Sequence, residues 1–165
     1  MKKEYVNQDK AFIFDLDQTL IDSTWTQRHL EKYQGDYEKM YQALGNQDKI
    51  ISETKELIDT LFFAGFKIII LSVRLEKSRQ RLIEWLEANK FYHYKAYDII
   101  LCHDKWHERA ETMPEKVKKK LYMEFIEPKN YKIMGFFDDN IKNIEMFESL
   151  GVPSYLIKAK LSQKG

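Results

Sequence analysis

At 165 residues and 44% hydrophobic, the chain holds enough apolar material for one domain with a real core, expected to span residues 1–165. A formal net charge of +1 excludes a global field that would drive it onto nucleic acid or membrane, and a single cysteine, Cys102, excludes an internal disulfide. The longest apolar runs fall far short of a membrane span and the start MKKEYVNQDK is too polar for a signal peptide, so a soluble cytoplasmic protein is expected.

After a polar lead-in over residues 1–10, Ala11-Phe12-Ile13-Phe14 reads as a strand buried on both faces. It stops at Asp15-Leu16-Asp17, at the strand end where open α/β sheets bind ligands. In a regular strand these two acids would point to opposite faces of the sheet. Both serve one site only if the chain leaves strand geometry after Asp15, which the polar Gln18-Thr19 allows. Carboxylates gathered at such a mouth are costly unless they are paired or hold a cation. Asp22 to Gln47 is polar, with Trp25, Leu30, Tyr33, Tyr37, Met40, Tyr41 and Leu44 at three- and four-residue spacing, which suits a hairpin flap followed by helical turns, or a surface helix packed by its aromatic stripe as the other reading of most of these residues.

Ser52 to Phe62 is a helix with Ser52 as its cap, Leu57, Ile58, Leu61 and Phe62 inward, and Gly65 at its end. Phe66 to Leu71 is a strand that ends at Ser72-Val73-Arg74. A helix over Glu76 to Asn89 turns Leu82, Ile83, Trp85 and Leu86 inward, and Tyr97 to Cys102 is the next strand. His103 to Pro114 reads as polar and irregular. Glu115 to Phe125 is a basic amphipathic helix with Val117, Leu121, Tyr122 and Phe125 on one side. Ile133 to Phe137 is a strand closed by Asp138-Asp139-Asn140, Ile141 to Leu150 a helix, and Val152 to Ile157 a last strand. Strands and helices alternating at these lengths predict an α/β fold: a doubly wound, mainly parallel sheet.

The set DLDQT, LSVR, a helical lysine and FFDDN, in that order, resembles motifs one to four of the haloacid-dehalogenase-like phosphohydrolases over nearly the whole chain. Within that superfamily the S-x-R form of the second motif, the EKVKKKLY lysine helix and the paired acids of the fourth look most like the 3′-phosphatase domain of polynucleotide kinases. The resemblance implies a Rossmann-like sheet with only a minimal cap, formed by residues 22–50, and a Mg²⁺-dependent phosphomonoesterase. By resemblance Asp15 is the nucleophile that forms an aspartyl-phosphate, and Asp17 is the general acid and base. Asp15, Asp17, Asp138 and Asp139 face the metal, with the direct ligand among the last two left open; an all-oxygen, carboxylate-rich set selects Mg²⁺ over zinc. Ser72, Val73 and Arg74 would take the substrate phosphate, with a surface ion pair as the other reading of Arg74.

Lys118 is the lysine expected to offset the acids, since it precedes Leu121 and Tyr122 by three and four residues; Lys119 and Lys120 are the alternatives. Two residues depart from the family pattern: Gln18 and Val73 each stand where a glycine is usual. The implied substrate is a phosphorylated one, DNA or RNA 3′ ends foremost, in partnership with a kinase or ligase, with a nucleotide or small molecule as the alternative and a non-catalytic scaffold as the third reading. Arg28, Arg79, Arg81 and Lys105 near the loop mouths suit a nucleic-acid end, and Trp25 or Trp106 would stack on a base or simply pack. His103 and His107 have an H-x3-H spacing but no third ligand nearby, so no zinc is expected there.

Overall fold

The computed structural model describes residues 9–159, apart from the side chains of residues 107, 108 and 111. Most of the polar lead-in, residues 1–8, lies outside the described residues. Five parallel strands form the sheet in the order β5-β4-β1-β6-β7: β1 Lys10–Phe14, β4 Lys67–Leu75, β5 Asp98–Cys102, β6 Lys132–Asp138 and β7 Ser154–Leu156. β1 is central, and the alternation of its neighbour β4 explains why the apolar run has no polar gaps. Ile69 and Leu71 join Ala11, Ile13 and Phe136 in one core, while Ile68 and Ile70 join Phe14 in another.

Helices cover both faces. On the Phe14 side lie Ile58 of α3 (Ser52–Phe63) and Leu82, Trp85 and Leu86 of α4 (Arg79–Ala88). On the Ile13 side lie Ala110 of α5 (His107–Thr112), Val117 and Leu121 of α6 (Pro114–Leu121), and Ile144 and Phe147 of α7 (Ile141–Ser149). This is the doubly wound α/β arrangement expected from the sequence. Among the described residues no helix is long and apolar enough to cross a membrane. Cys102 is fully buried at the end of β5, as a filler of the core.

Several elements differ from expectation. The flap is a two-residue antiparallel ribbon, β2 Ile21–Asp22 against β3 Lys49–Ile50, that brackets the helices α1 (Thr24–Leu30) and α2 (Tyr37–Leu44) instead of preceding them. Of the aromatic stripe, Met40 and Tyr41 are buried, while Tyr37 and Leu44 stay exposed. Ser52 is the first residue of α3 rather than its cap; Ile51 precedes the helix and supplies only its backbone carbonyl to Lys55. Residues 103–114, expected to be irregular, contain a short turn of tight helix and α5.

The basic helix stops being α-helical at Leu121 and widens into a π turn over Tyr122–Ile126. The extra residue in that turn moves the buried position from Phe125, 45% exposed, to Ile126, 1% exposed. β4 runs on through Leu75, past the predicted strand end, and its pairing with β5 is irregular between Leu71 and Leu75. β1 and β6 slip by one residue between Ala11 and Phe12, so that Gly135 faces Phe12. A Cβ on Gly135 would come within 3.1 Å of both the Phe12 and Tyr155 rings, which is why no side chain stands there.

Candidate active site

Two adjacent strands, β1 and β6, end together at the centre of the sheet. Asp15 is the first residue beyond β1, Asp138 is the last of β6, and Asp139 follows it. The Asp15 amide donates to the Phe137 carbonyl at 2.9 Å, which ties the two strand ends. Asp15, Asp138 and Asp139 each offer a carboxylate oxygen, all within 4.8 Å of one another. Between them Lys118, only 2% exposed, donates to Asp15 Oδ1 and to Asp138 Oδ2, each at 2.5 Å. Lys119 and Lys120, one and two residues on, turn outward. Lys118 lies one residue from the buried Val117 and three from the buried Leu121, so the same helix face that packs on the sheet delivers it.

The electrostatics follow from crowding three acids around one ammonium. Burial pushes the Asp15 carboxyl up to about 7; Lys118 pulls it back and the neighbouring Asp138 raises it. Burial likewise raises Asp139 to about 6, with Asp138 adding to the shift. Burial alone would lower Lys118, yet Asp15 and Asp138 hold it above its ordinary value, so it stays charged. The cluster therefore keeps surplus negative charge in an all-oxygen donor set. That set fits a hard divalent cation held by Asp15, Asp138 and Asp139.

Asp17 stands apart from that converging set. The chain leaves strand geometry after Phe14, as sharing of one site by both acids requires, and turns back through an isolated bridge between Asp17 and Ile21. Gln18 closes the turn at φ 61°, donating its amide to the Ile21 carbonyl at 2.7 Å. This is the left-handed region, where a residue with a Cβ costs about 1–3 kcal/mol, and it is why glycine is usual at this position. The Gln18 Oε1 is buried with no hydrogen-bond partner among the described residues.

Arg74 grips Asp17 in a fork. Its Nε donates at 2.9 and 3.2 Å and its Nη2 at 2.6 Å. Burial pushes the Asp17 carboxyl up, but the guanidinium outweighs burial, with Ser23 helping, and holds it below the usual carboxylate range. The ion pair offered as one reading of Arg74 is thus present, though inside the site and partly buried. Ser72 is buried and its Oγ accepts from the Arg74 amide at 3.1 Å; Val73 between them is half-buried. A cleft of about 460 Å³ opens from Asp17, Val73 and Arg74 outward. Its far walls are Tyr37, Glu38 and Tyr41 of α2, Lys77 in the tight turn before α4, and Arg81 in the first turn of α4.

The sequence reading missed four supports. Thr19 Oγ1 donates to Asp15 Oδ2 at 3.2 Å, and Asn143 Nδ2 donates to Asp138 Oδ2 at 2.9 Å. Thr19 sits four residues beyond Asp15, and Asn143 is three beyond Asn140, which caps α7. Those spacings were the available signals. Thr26 and Asp48, by contrast, lie 22 residues apart in the flap and carry no local pattern. Asp48 accepts from the Thr26 amide at 3.0 Å and from its hydroxyl at 2.7 Å, and its Oδ2 lies 3.8 Å from Arg74 Nη2.

Other residues singled out lie elsewhere. Arg79 pairs with Glu76 and donates to the Ile99 carbonyl, and Arg81 pairs with Glu38 across the cleft mouth. Trp106 packs against the core with Lys120 Nζ 3.9 Å from its ring centroid, and Trp25 lies against the His29 ring. His103 Nδ1 accepts from the Lys105 amide, and the His107 side chain is outside the described residues.

The profile of the family described as the polynucleotide kinase PNKP phosphatase domain matches residues 9–159. No curated protein sequence matches the chain. Among solved structures, a chain of the Pnkp1/Rnl/Hen1 complex superposes with a TM-score of 0.70 at 23% identity, covering 92% of this chain and 47% of that one. A chain of the Pnkp1/Rnl/Hen1 RNA repair complex gives 0.65 at 20% identity, with 95% and 47% covered. This chain thus spans a little under half the length of each. A predicted phosphatase from Clostridium acetobutylicum gives 0.61 at 16% identity, with 88% and 82% covered. At these identities the structures speak for the shared fold, and the profile, running from the start of β1 past β7, speaks for the family. The chain belongs to the polynucleotide kinase PNKP phosphatase domain family, within the haloacid-dehalogenase superfamily of phosphatases.

Proposed function

We propose that the chain is a Mg²⁺-dependent phosphomonoesterase that removes 3′-phosphates from nucleic-acid ends through an aspartyl-phosphate on Asp15. The observation that carries the reading is Lys118 bridging Asp15 and Asp138, with Asp139 alongside and the Asp17–Arg74 pair two residues from Asp15. Asp15 Oδ attacks phosphorus, and the bond from phosphorus to the leaving alcohol breaks as Asp17 gives that oxygen a proton. Water then attacks the aspartyl-phosphate, loses its proton to Asp17, and releases phosphate with Asp15 restored. Lys118, Ser72 and Arg74 stabilise the phosphoryl oxygens, and Lys118 also draws the raised Asp15 carboxyl back toward its ionised, attacking form. Asp15, Asp138 and Asp139, and by the family resemblance the Asp17 carbonyl, would hold a bound Mg²⁺, which would neutralise the charge gathered there. For Asp17 to act as an acid it must first take up a proton from solvent, which requires Arg74 to give up at least one of its bonds to it; an arriving phosphate, a strong acceptor for a guanidinium, supplies the exchange.

Residues 1–165 are read as one phosphatase domain of the cytoplasm, with 22–50 as the flap. A kinase or ligase partnership is in keeping with the Pnkp1/Rnl/Hen1 likeness. A second reading, a mononucleotide as substrate, draws on the cleft of about 460 Å³, a size typical of small-ligand pockets. Phosphate release from a 3′-phosphorylated oligonucleotide, a 5′-phosphorylated one, a mononucleotide and p-nitrophenyl phosphate, each with and without Mg²⁺, separates these. Preference for the 3′ end with a Mg²⁺ requirement is expected. Turnover of the small substrates alone would sink the nucleic-acid reading. Asp15→Asn should abolish turnover and leave thermal melting nearly unchanged, and residual full activity in that variant would remove the nucleophile assignment.

A further inference from the structure

The flap reaches the reacting centre through one buried carboxylate. Asp48 lies in the turn that leads into β3, and its side chain is fully buried. Besides the two bonds from Thr26, its own backbone carbonyl accepts Trp85 Nε1 at 3.0 Å, and the Tyr41 hydroxyl lies 3.3 Å from Thr26 Oγ1. Asp48 thereby knots α1, α2 and α4 at one point. Its charge is set beside Arg74 Nη2, the same nitrogen that donates to Asp17 Oδ1 at 2.6 Å. One guanidinium nitrogen thus stands between two carboxylates, one belonging to the site and one to the flap. A buried carboxylate with no role costs several kcal/mol, and hydrophobic residues would close the flap as well.

We infer that Asp48 is a positioning residue for phosphoryl transfer: it is the second seat of the Arg74 guanidinium, which keeps Arg74 in place when it releases Asp17 for the leaving group. The inference rests on the phosphatase reading above and adds to it a residue outside the four motifs. With Asp48 present, loosening the Asp17 bonds leaves Arg74 facing another anion. Without it, Arg74 is anchored by Asp17 alone until phosphate arrives, and the Asp17 oxygens stay occupied for longer. The loss falls on substrates whose departure needs a proton, and spares those that leave as stable anions.

The test is Asp48→Asn, near-isosteric, assayed on a nucleoside 3′-phosphate and on p-nitrophenyl phosphate. The expected result is a fall in kcat of roughly 10-fold or more on the first, with KM little changed and p-nitrophenyl phosphate nearly unaffected, in line with the scale of lost proton transfer. Thr26→Val, which loosens Asp48 while keeping its charge, should show the same split in weaker form and stands in if Asp48→Asn fails to fold. In an Arg74→Ala background Asp48→Asn should have no further effect. Equal losses on both substrates, or losses that add to those of Arg74→Ala, overturn the inference while leaving the phosphatase reading intact. The Arg74 Nε–H resonance, assigned by its disappearance in Arg74→Lys, reads the same coupling without turnover. It should shift and exchange faster with solvent in Asp48→Asn or Thr26→Val, and an unmoved resonance overturns the inference even for a chain that hydrolyses none of these substrates.

Discussion

Lys118 shows how far one position along a helix decides a side chain's work. It shares a basic run with Lys116, Lys119 and Lys120, yet it alone of the four is held between two carboxylates in a nearly dry site. Removing it leaves those carboxylates uncompensated, so Lys118→Met should cost about 3–5 kcal/mol in urea unfolding at pH 8 as well as activity. Lys119→Met should change neither beyond the scatter of surface substitutions, and a similar loss in both variants would mean the run acts as a whole. The inward register was legible from Leu121 and Tyr122. The partners of Arg74 were not, because a guanidinium that suits phosphate suits a carboxylate equally well, and only the fold brings Asp17 and Asp48 to it. Gln18 was legible as a departure from glycine but not in its cost, which appears only with its positive φ and its unpartnered Oε1.

At the scale of elements, the five strands of the sheet are legible as dense apolar runs, although β4 continues past Leu71 to Leu75. Val117, Leu121 and Phe125 fall four apart, a spacing that predicts a regular helix from Glu115 to Phe125. The π turn substitutes a step of five after Leu121, and the next inward residue is Ile126. Both candidates are apolar, so composition could not choose between them; the packing against the Ile13 side of the sheet does. Ile126→Ala should therefore destabilise by about 2–5 kcal/mol, as buried large-to-small changes do. Phe125→Ala should be close to neutral, and denaturant midpoints of the two variants decide the register. The reverse order would restore a continuous α-helix.

At the scale of the whole molecule, the strand-end acids link stability to pH and to the cation. Asp15 and Asp139 have carboxyls raised from 3.8 to about 7 and about 6. A group raised on folding contributes stability that is complete below its unfolded value and lost as the pH climbs through its folded one. The metal-free chain should therefore melt lower at pH 8 than at pH 5 as far as these two acids are concerned. Mg²⁺ requires the ionised carboxylates, so it should raise the melting temperature more at pH 8 than at pH 5. An equal increment at both pH values would place the binding elsewhere.

The architecture itself follows from the alternation of strands and helices, but the strand order does not. It depends on β1 being paired on one side with β4 and on the other with β6, more than a hundred residues further along the chain. That central seat has a kinetic side. Sheet pairing among the five strands is entirely parallel, without a hairpin to close early, so folding should be slow for a chain of this size. During synthesis β1 emerges first and its second edge waits for β6, the strand that also brings Asp138. A ribosome stalled before Lys132 would therefore display an apolar strand edge and no site at all, a fragment that invites chaperones rather than substrate.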